Sequence, residues 1–361
     1  MNSKERVMAA LNNEQPDRVP IFEAQINELS ILNLSKLLLP KAPKMKAAKG
    51  RFGEESLRTI DLYCFLVKEL KLDATCYTFS MGLKRVSENH GRDKYGIIYR
   101  LSEHGEPFPI EGPIRSYSDL KGFSMLPQLQ LDDFSRFQYI INKVGKNKAH
   151  FIMVPDPFKV SWFLRGGMQN LLTDYLADPQ LAHDLARISL DFNMASIDIA
   201  VRMGVDVIFL VGDLAGERTT LMSPEHYREY LKSYHNEIVN YTHQKGAKIV
   251  KHSDGNVWPI LNDLMEVGFD GIHPIQPQCM EIAEVKEYLH GRMCILGNID
   301  CRNLLPFGTK EEVRKAVKET IKKAALRGGY IISSSNSIHP GCKPENYITM
   351  VEATHEYGIY Q

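Results

Sequence analysis

The chain lacks a surplus of either charge, a closely spaced cysteine pair and a long apolar run, and each absence removes a class of function. Its 361 residues carry 44 basic and 44 acidic groups, a formal net charge of zero. Such a balance leaves no electrostatic footprint for nucleic acid, which needs a basic excess or a basic face. No apolar run approaches the roughly 18 residues that span a bilayer, so no membrane partner is expected. The N-terminal Met1-Asn2-Ser3-Lys4-Glu5-Arg6 leads into a charged amphipathic segment rather than a signal peptide. The six cysteines (Cys64, Cys76, Cys279, Cys294, Cys301, Cys342) include no C-x-x-C pair. Scattered in this way, they read as the reduced thiols of a cytoplasmic protein. Neither G-x-x-x-x-G-K-[ST] nor G-x-G-x-x-G is present, and no nucleophile–base dyad has an evident oxyanion hole. Phosphoryl and hydride transfer therefore fit poorly.

What is present is a regular alternation of strand and helix. Val7, Met8, Ala10 and Leu11 have helical spacing behind Ser3, the expected N-cap. Pro16-Asp17-Arg18 ends that helix and leads to Val19-Pro20-Ile21-Phe22, a short buried strand. A basic run at 41–51 reads as a solvated face or a lid, 59–70 as a helix and 73–80 as the second strand. Hairpin strands follow in a rim insertion over about 90–130, marked by 95–100 and the Gly- and Pro-rich 105–113. Further strands at 149–155, 206–211, 247–252, 269–274, 293–297 and 329–333 alternate with helical patterns. One of those helices opens with Ser223 as N-cap and Pro224 in its first turn. Counting from Val19 gives eight strands. The predicted fold is α/β: a single (β/α)8 TIM barrel over 1–361, with an N-terminal helical extension and the rim hairpin.

In such a barrel, ligands bind at the C-terminal ends of the strands. The most informative stretch is Lys251-His252-Ser253-Asp254-Gly255-Asn256, where a strand delivers His252 and Asp254, two residues apart, to one side of the chain. The stretch is also open to a plainer account, a buried His bonded to a loop carbonyl and an Asp capping the next helix. The earlier strand ends add Glu23, Gln25, Asn27, Tyr77, Ser80, Asp156, Lys159, Asp213, Glu217 and Arg218. From residue 253 onward come Ser253, His273, Gln276, Asn298, Asp300, Ser335, Asn336 and His339. So many polar groups at one pole point to a small-molecule site. The catalytic candidates are His252, Asp254 and Asp213. The substrate-binding candidates are Glu23, Asn27, Tyr77, Glu217, His273, Gln276 and Asn336. His252 and Asp254 could also ligate one metal ion, with His273 or Gln276 nearby. No cysteine stands beside His252 or directly at the end of the last strand, which disfavours a thiol-activating zinc site and leaves nitrogen and oxygen ligands.

Several of these stretches carry a resemblance. They are Glu5-Arg6-Val7, Pro16-Asp17-Arg18-Val19-Pro20, Gly212-Asp213, Leu221-Met222-Ser223-Pro224-Glu225 and His252-Ser253-Asp254-Gly255-Asn256. To them are added Phe269-Asp270-Gly271, Leu296-Gly297-Asn298-Ile299-Asp300 and Pro344-Glu345-Asn346. Over nearly its whole length the chain resembles the uroporphyrinogen decarboxylase superfamily, which also contains corrinoid-dependent methyltransferases. That resemblance implies a (β/α)8 barrel. The decarboxylases carry R-Q-A-G-R-Y after the first strand, where this chain has Phe22-Glu23-Ala24-Gln25-Ile26-Asn27, without arginine. The methyltransferases that serve a thiol hold zinc with H-x-C, a Glu after the next strand and a Cys after the last. Here the His is kept as His252, and the other positions fall on Asp254, near Gln276 and near Asn336.

The resemblance thus implies a methyltransferase working toward the corrinoid. It would move a methyl group from a small methylated donor, for example an aryl methyl ether in an O-demethylation, to cob(I)amide on a corrinoid protein. His252 and Asp254 would polarise or protonate the donor heteroatom, while Asp213, Gln276 and Asn336 orient it. Competing expectations are a uroporphyrinogen decarboxylase-like lyase, a methylcobamide:thiol methyltransferase, and a binding protein without turnover. A homodimer is left open.

Overall fold

The computed structural model describes residues 1–39, 55–102 and 107–360, so the basic run at 41–51 and Gly105 lie outside the described residues. Eleven strands are seen among the described residues. β1 (Ala74–Thr78), β6 (Ala149–Pro155), β7 (Val207–Val211), β8 (Lys248–His252), β9 (Gly271–His273), β10 (Cys294–Ile299) and β11 (Tyr330–Ser334) form one curled parallel sheet in that order. β2 (Lys84–Ser87), β3 (His90–Arg92), β4 (Ile98–Leu101) and β5 (Pro107–Glu111) form a separate antiparallel sheet. This second sheet is the expected rim insertion, but it begins at Lys84 instead of near residue 90 and has four strands.

Helices alternate with the parallel strands, as crossover connections require. α1 (Ser3–Leu11), α2 (Glu28–Leu38) and α3 (Glu55–Glu69) precede β1, and α4 (Ser135–Val144) precedes β6. α5 (Pro157–Leu164), α6 (Met168–Ala177) and α7 (Pro179–Arg202) lie between β6 and β7. Next come α8 (Pro224–Tyr227) and α9 (Ser233–Gln244), joined by a π-type turn at Arg228–Lys232, and α10 (Leu261–Val267). α11 (Ile282–Leu289), α12 (Leu304–Phe307), α13 (Lys310–Ala324) and α14 (Pro344–Tyr357) complete the order. Ser223 caps α8 as expected, accepting from the His226 N–H. The N-cap of α1, however, is Asn2 rather than Ser3, in a reciprocal capping box with Glu5. None of the described helices is long and apolar enough to cross a membrane.

The expected first strand, 19–22, does not form a ladder. Pro20 has no N–H to give, and the segment is held by single bonds on either side. The Phe22 N–H donates to Ile332 O at 3.0 Å, and the Ile332 N–H to Pro20 O at 3.0 Å. On the other flank the Asp73 N–H donates to Ile21 O at 2.8 Å. The segment thereby sits between β11 and β1, an arrangement consistent with a TIM-like barrel whose eighth position is a bridge rather than a full strand.

Strand alternation decides what fills the interior. Phe22, Cys76, Phe151, Phe209, Val250, Leu296 and Ile331 pack together from successive strands, and Val7, Ala10 and Leu11 of α1 join the same cluster from the N-terminal pole. The Asp73 carboxylate fastens that plug. It is fully buried and accepts from Arg6 at 2.7 Å, Arg18 at 2.9 Å and the Ile21 N–H at 2.9 Å. Arg6 also grips Asp17 at 2.6 Å. The family-like opening stretches therefore serve the fold. At the other pole Glu23 lies between inward-facing Phe22 and Ala24 and so turns outward, where it meets β11. Its carboxyl accepts from the Ser334 hydroxyl at 2.6 Å and the Ser334 N–H at 3.2 Å. Burial pushes the Glu23 carboxyl up to about 8, against the pull of the Ser334 bonds.

Two outcomes follow. Asp73→Ala leaves the largely buried Arg18 without its carboxylate and Arg6 with Asp17 alone, and should cost about 3 kcal/mol, read by urea unfolding. For Glu23, the unfolded chain loses its proton near 4.5, whereas the folded protein keeps it to about 8. Stability therefore falls as pH rises between those values, by up to about 1.4 kcal/mol per unit. Glu23→Gln removes that loss, so its advantage over the wild type should widen from pH 5 to pH 8.

Candidate functional site

β8 ends by presenting alternate side chains to opposite faces: Val250 and His252 toward the interior, Lys251 outward. After His252 the chain turns at Gly255, whose φ of +86° favours glycine and where a Cβ would lie only 2.4 Å from Gly216 O. This turn brings Asp254 back over the strand ends. The Asp254 N–H donates to Asp213 Oδ1 at 3.1 Å, and the Gly255 N–H to Gln276 Oε1 at 2.8 Å.

Asp213, His252 and Asp254 form one group, with a ligand-type atom of each within 4.8 Å of the others. His252 Nε2 lies 3.5 Å from Asp213 Oδ1 and 4.0 Å from Asp254 Oδ1. The other ring nitrogen, Nδ1, is 2.8 Å from His273 Nδ1. His273 is fully buried against Phe22 and Phe209. Burial drives the His252 imidazole down to about 4, against the pull of Asp213, so the ring is neutral near pH 7. Asp254 moves the opposite way. Burial first, and then the neighbouring Asp213 charge, lift its carboxyl to about 7. Asn336 Nδ2 donates to Asp254 Oδ2 at 2.5 Å, while Asp254 Oδ1 is buried with no hydrogen-bond partner among the described residues. A carboxyl near its midpoint, with a free oxygen aimed at a neutral imidazole, can act as a proton donor.

The seven substrate-binding candidates divide. His273, Gln276 and Asn336 join the group just described. Glu217 is exposed near it and ion-paired with Arg302, which joins the loops after β7 and β10. Tyr77 stands on β1 with its ring 6.2 Å from that of Tyr63, and Asn27 is the N-cap residue of α2. Glu23 is a correction to the expectation: it is turned away from the interior and holds Ser334. Several further strand-end residues fasten loops. Asp300 accepts from the Arg302 N–H at 2.7 Å and the Asn303 N–H at 3.0 Å. Ser335 accepts from the Cys301 N–H at 3.1 Å, and His339 meets Cys301 O at 2.8 Å.

Lys251 was not singled out by the sequence. Its side chain and that of Asp156 are both 0% exposed and pair at 2.9 Å. Its ammonium also donates to Gly212 O at 2.6 Å and His252 O at 2.8 Å. Asp156 caps α5 by accepting from the Lys159 N–H at 2.8 Å, and its other oxygen lies 3.4 Å from His235 Nε2. Burial alone would raise the Asp156 carboxyl, but the Lys251 charge and His235 hold it well below the usual range. The clue available in the sequence was a lysine one residue before the strand-end histidine, in an otherwise buried strand.

The Uroporphyrinogen decarboxylase (URO-D) family model matches residues 93–357. Methylcobamide:CoM methyltransferase MtaA of Methanosarcina barkeri (strain Fusaro) is 28% identical over 371 aligned residues, covering 98% of both chains. The methylated-thiol–coenzyme M methyltransferase of Methanosarcina mazei is 26% identical over 208 residues, 56% of this chain and 52% of its own. The uroporphyrinogen decarboxylase of Thioalkalivibrio sulfidiphilus is 24% identical over 192 residues, 50% of this chain and 50% of its own. This chain thus spans about half the length of those last two relatives. A solved methyltransferase from Methanosarcina mazei has the same fold, with a TM-score of 0.78, 21% identity and 99% coverage of each chain. With a His and two carboxylates gathered at the strand ends of a TIM-like sheet, and a family match over most of its length, the chain belongs to the uroporphyrinogen decarboxylase (URO-D) family, and a methylcobamide:CoM methyltransferase is among the proteins it resembles from end to end.

Proposed function

We propose that this protein is a corrinoid-dependent methyltransferase that demethylates a small methylated compound, an aryl methyl ether being one candidate class. The observation that carries the proposal is Asp254, lifted to about 7 with a free, buried oxygen beside neutral His252. The hard part of removing a methyl group from oxygen or nitrogen is the leaving group, which departs poorly unless it is protonated. Asp254 supplies that proton from Oδ1 to the donor heteroatom as the methyl–heteroatom bond breaks. Asn336, bonded to the other oxygen, fixes the direction of the acid, and Gln276 fixes the turn that carries it. His252, held by His273, lies beside the departing atom and contributes a neutral polar edge. The corrinoid of a partner protein supplies, when bound, the reduced cobalt that accepts the methyl group.

A divalent metal also fits the residues present. His252 Nε2 and the carboxylates of Asp213 and Asp254 would hold it, and the unpartnered Asp254 Oδ1 is the orphaned atom such an ion would satisfy. This set of nitrogen and oxygen donors can hold zinc, though without the thiolates of a thiol-activating site. When bound, the ion would supply Lewis-acid polarisation of the donor heteroatom. A porphyrin lyase is less well served: the group carries two carboxylates, and Arg302 is already paired with Glu217.

Two measurements bear on the acid role. With cob(I)alamin and a panel of methoxyarenes, methylamines, methanol and methyl thioethers, Asp254→Asn and His252→Ala should each slow methylcobalamin formation by about 10²–10⁴-fold. Rates within about twofold of wild type would sink the assignment. The wild-type rate should also decline as pH rises through about 7, because Asp254 must hold its proton, and Asp254→Asn should abolish that decline.

A further inference from the structure

Three neighbouring strands reach the site, and a single buried cation ties their ends together. Lys251 Nζ bonds Gly212 O, which immediately precedes Asp213, and His252 O, the carbonyl of the site histidine itself. Its counter-ion Asp156 follows β6 and is locked as the N-cap of α5. The chain makes room for this arrangement at Gly212, where a Cβ would fall 2.0 Å from Asp156 Oδ1. No bulkier residue could stand there without expelling the carboxylate. Lysine is seldom fully buried unless paired, and this one donates to two carbonyls and stands 2.9 Å from a carboxylate oxygen as its counter-ion. None of these groups faces the substrate side, because alternation turns Lys251 away from the interior that His252 faces.

We infer that Lys251, with Asp156 and the space left by Gly212, is the positioning residue of the site: it sets the backbone spacing that places Asp213 beside His252. The 3.5 Å separation of Asp213 Oδ1 and His252 Nε2 joins the side chain of one tethered residue to that of the residue following the other. Two strand ends that were free to part would lose that separation first. The role is a geometric one, and its activity arm rests on the methyltransferase reading above.

The test compares wild type with Lys251→Met/Asp156→Asn. The double change removes both charges together, and the asparagine keeps an oxygen for the Lys159 N–H. Arg165→Met/Asp174→Asn serves as the control, since it removes a largely buried ion pair at the C-terminal end of α5, the end opposite the Asp156 cap. For the donor that the wild type accepts, with free cob(I)alamin, the Lys251 double variant should keep KM within about threefold and lose about 10²-fold in kcat, the scale of a misplacement near 1 Å. The control should lower the melting temperature and leave kcat per folded molecule unchanged. A crystal structure of the Lys251 double variant should show the Asp213–His252 contact opened beyond 3.5 Å. An unchanged contact, or a kcat equal to that of the wild type in folded protein, overturns the inference. Should the double variant fail to fold, Gly212→Ala perturbs the same clamp from the other side and is read by the same contact and the same kcat. If the wild type itself moves no methyl group, the methyltransferase reading fails, and the crystal structure still decides the role of Lys251.

Discussion

A β-strand turns successive side chains to opposite faces, and at the end of β8 this two-residue period separates Lys251 from His252. The rest of the site depends on that separation. One side chain enters the interior with Asp213 and Asp254, and the other enters the layer between sheet and helices, where it meets Asp156. A shift of one residue in the register of β8 would exchange them, placing a cation in the interior and an imidazole against the helices. Lys251 can occupy the outer layer because Asp156 balances its charge and two carbonyls accept its protons there. The charge pattern of the site and the packing of the sheet are therefore set by one registration.

Both poles of the sheet use a fully buried carboxylate as a tie. At the N-terminal pole Asp73 gathers Arg6, Arg18 and the Ile21 N–H, joining the α1 plug and the eighth position to the start of β1. At the C-terminal pole Asp156 gathers Lys251 and the first turn of α5. Neither tie need add net stability over an apolar replacement of similar shape, since desolvating the charges offsets much of their attraction. What each supplies is specificity. An apolar core would tolerate small sliding of one strand end past the next, whereas a carboxylate with fixed partners tolerates little.

The alternation of strands and helices was legible in the sequence, and so were the three residues that gather at the site, because period and strand-end position are local properties. The misses have equally local or plainly long-range causes. Taking Asn2 as N-cap puts Glu5 at the third helical position, where it can complete a capping box, whereas taking Ser3 would put Arg6 there. That signal was present and decides the matter. The outward turn of Glu23 follows from its place between Phe22 and Ala24 once the interior is known to contain those two. The early start of the rim sheet was hidden because every residue of β2 is exposed, which leaves no apolar alternation to read. Lys251 was illegible for a different reason. A lysine within Lys248-Ile249-Val250-Lys251 reads as a surface residue until Asp156, far away in the chain, is known to stand opposite it.

The resemblance puts the zinc-ligand positions of thiol-serving relatives, other than the kept His252, at Asp254, near Gln276 and near Asn336 in this chain. A site that had merely decayed would leave such replacements unrelated to one another. Here Asn336 donates to Asp254, Gln276 accepts from the Gly255 N–H beside it, and burial first and Asp213 second lift the Asp254 carboxyl. One oxygen of Asp254 is engaged, and the other is buried and left free. An unpaired buried oxygen is costly in a structure with no use for it. Its place beside His252, within a group whose other members are mutually bonded, is the geometry on which the proposed acid role rests: one carboxyl oxygen held by Asn336 and the other turned to the imidazole.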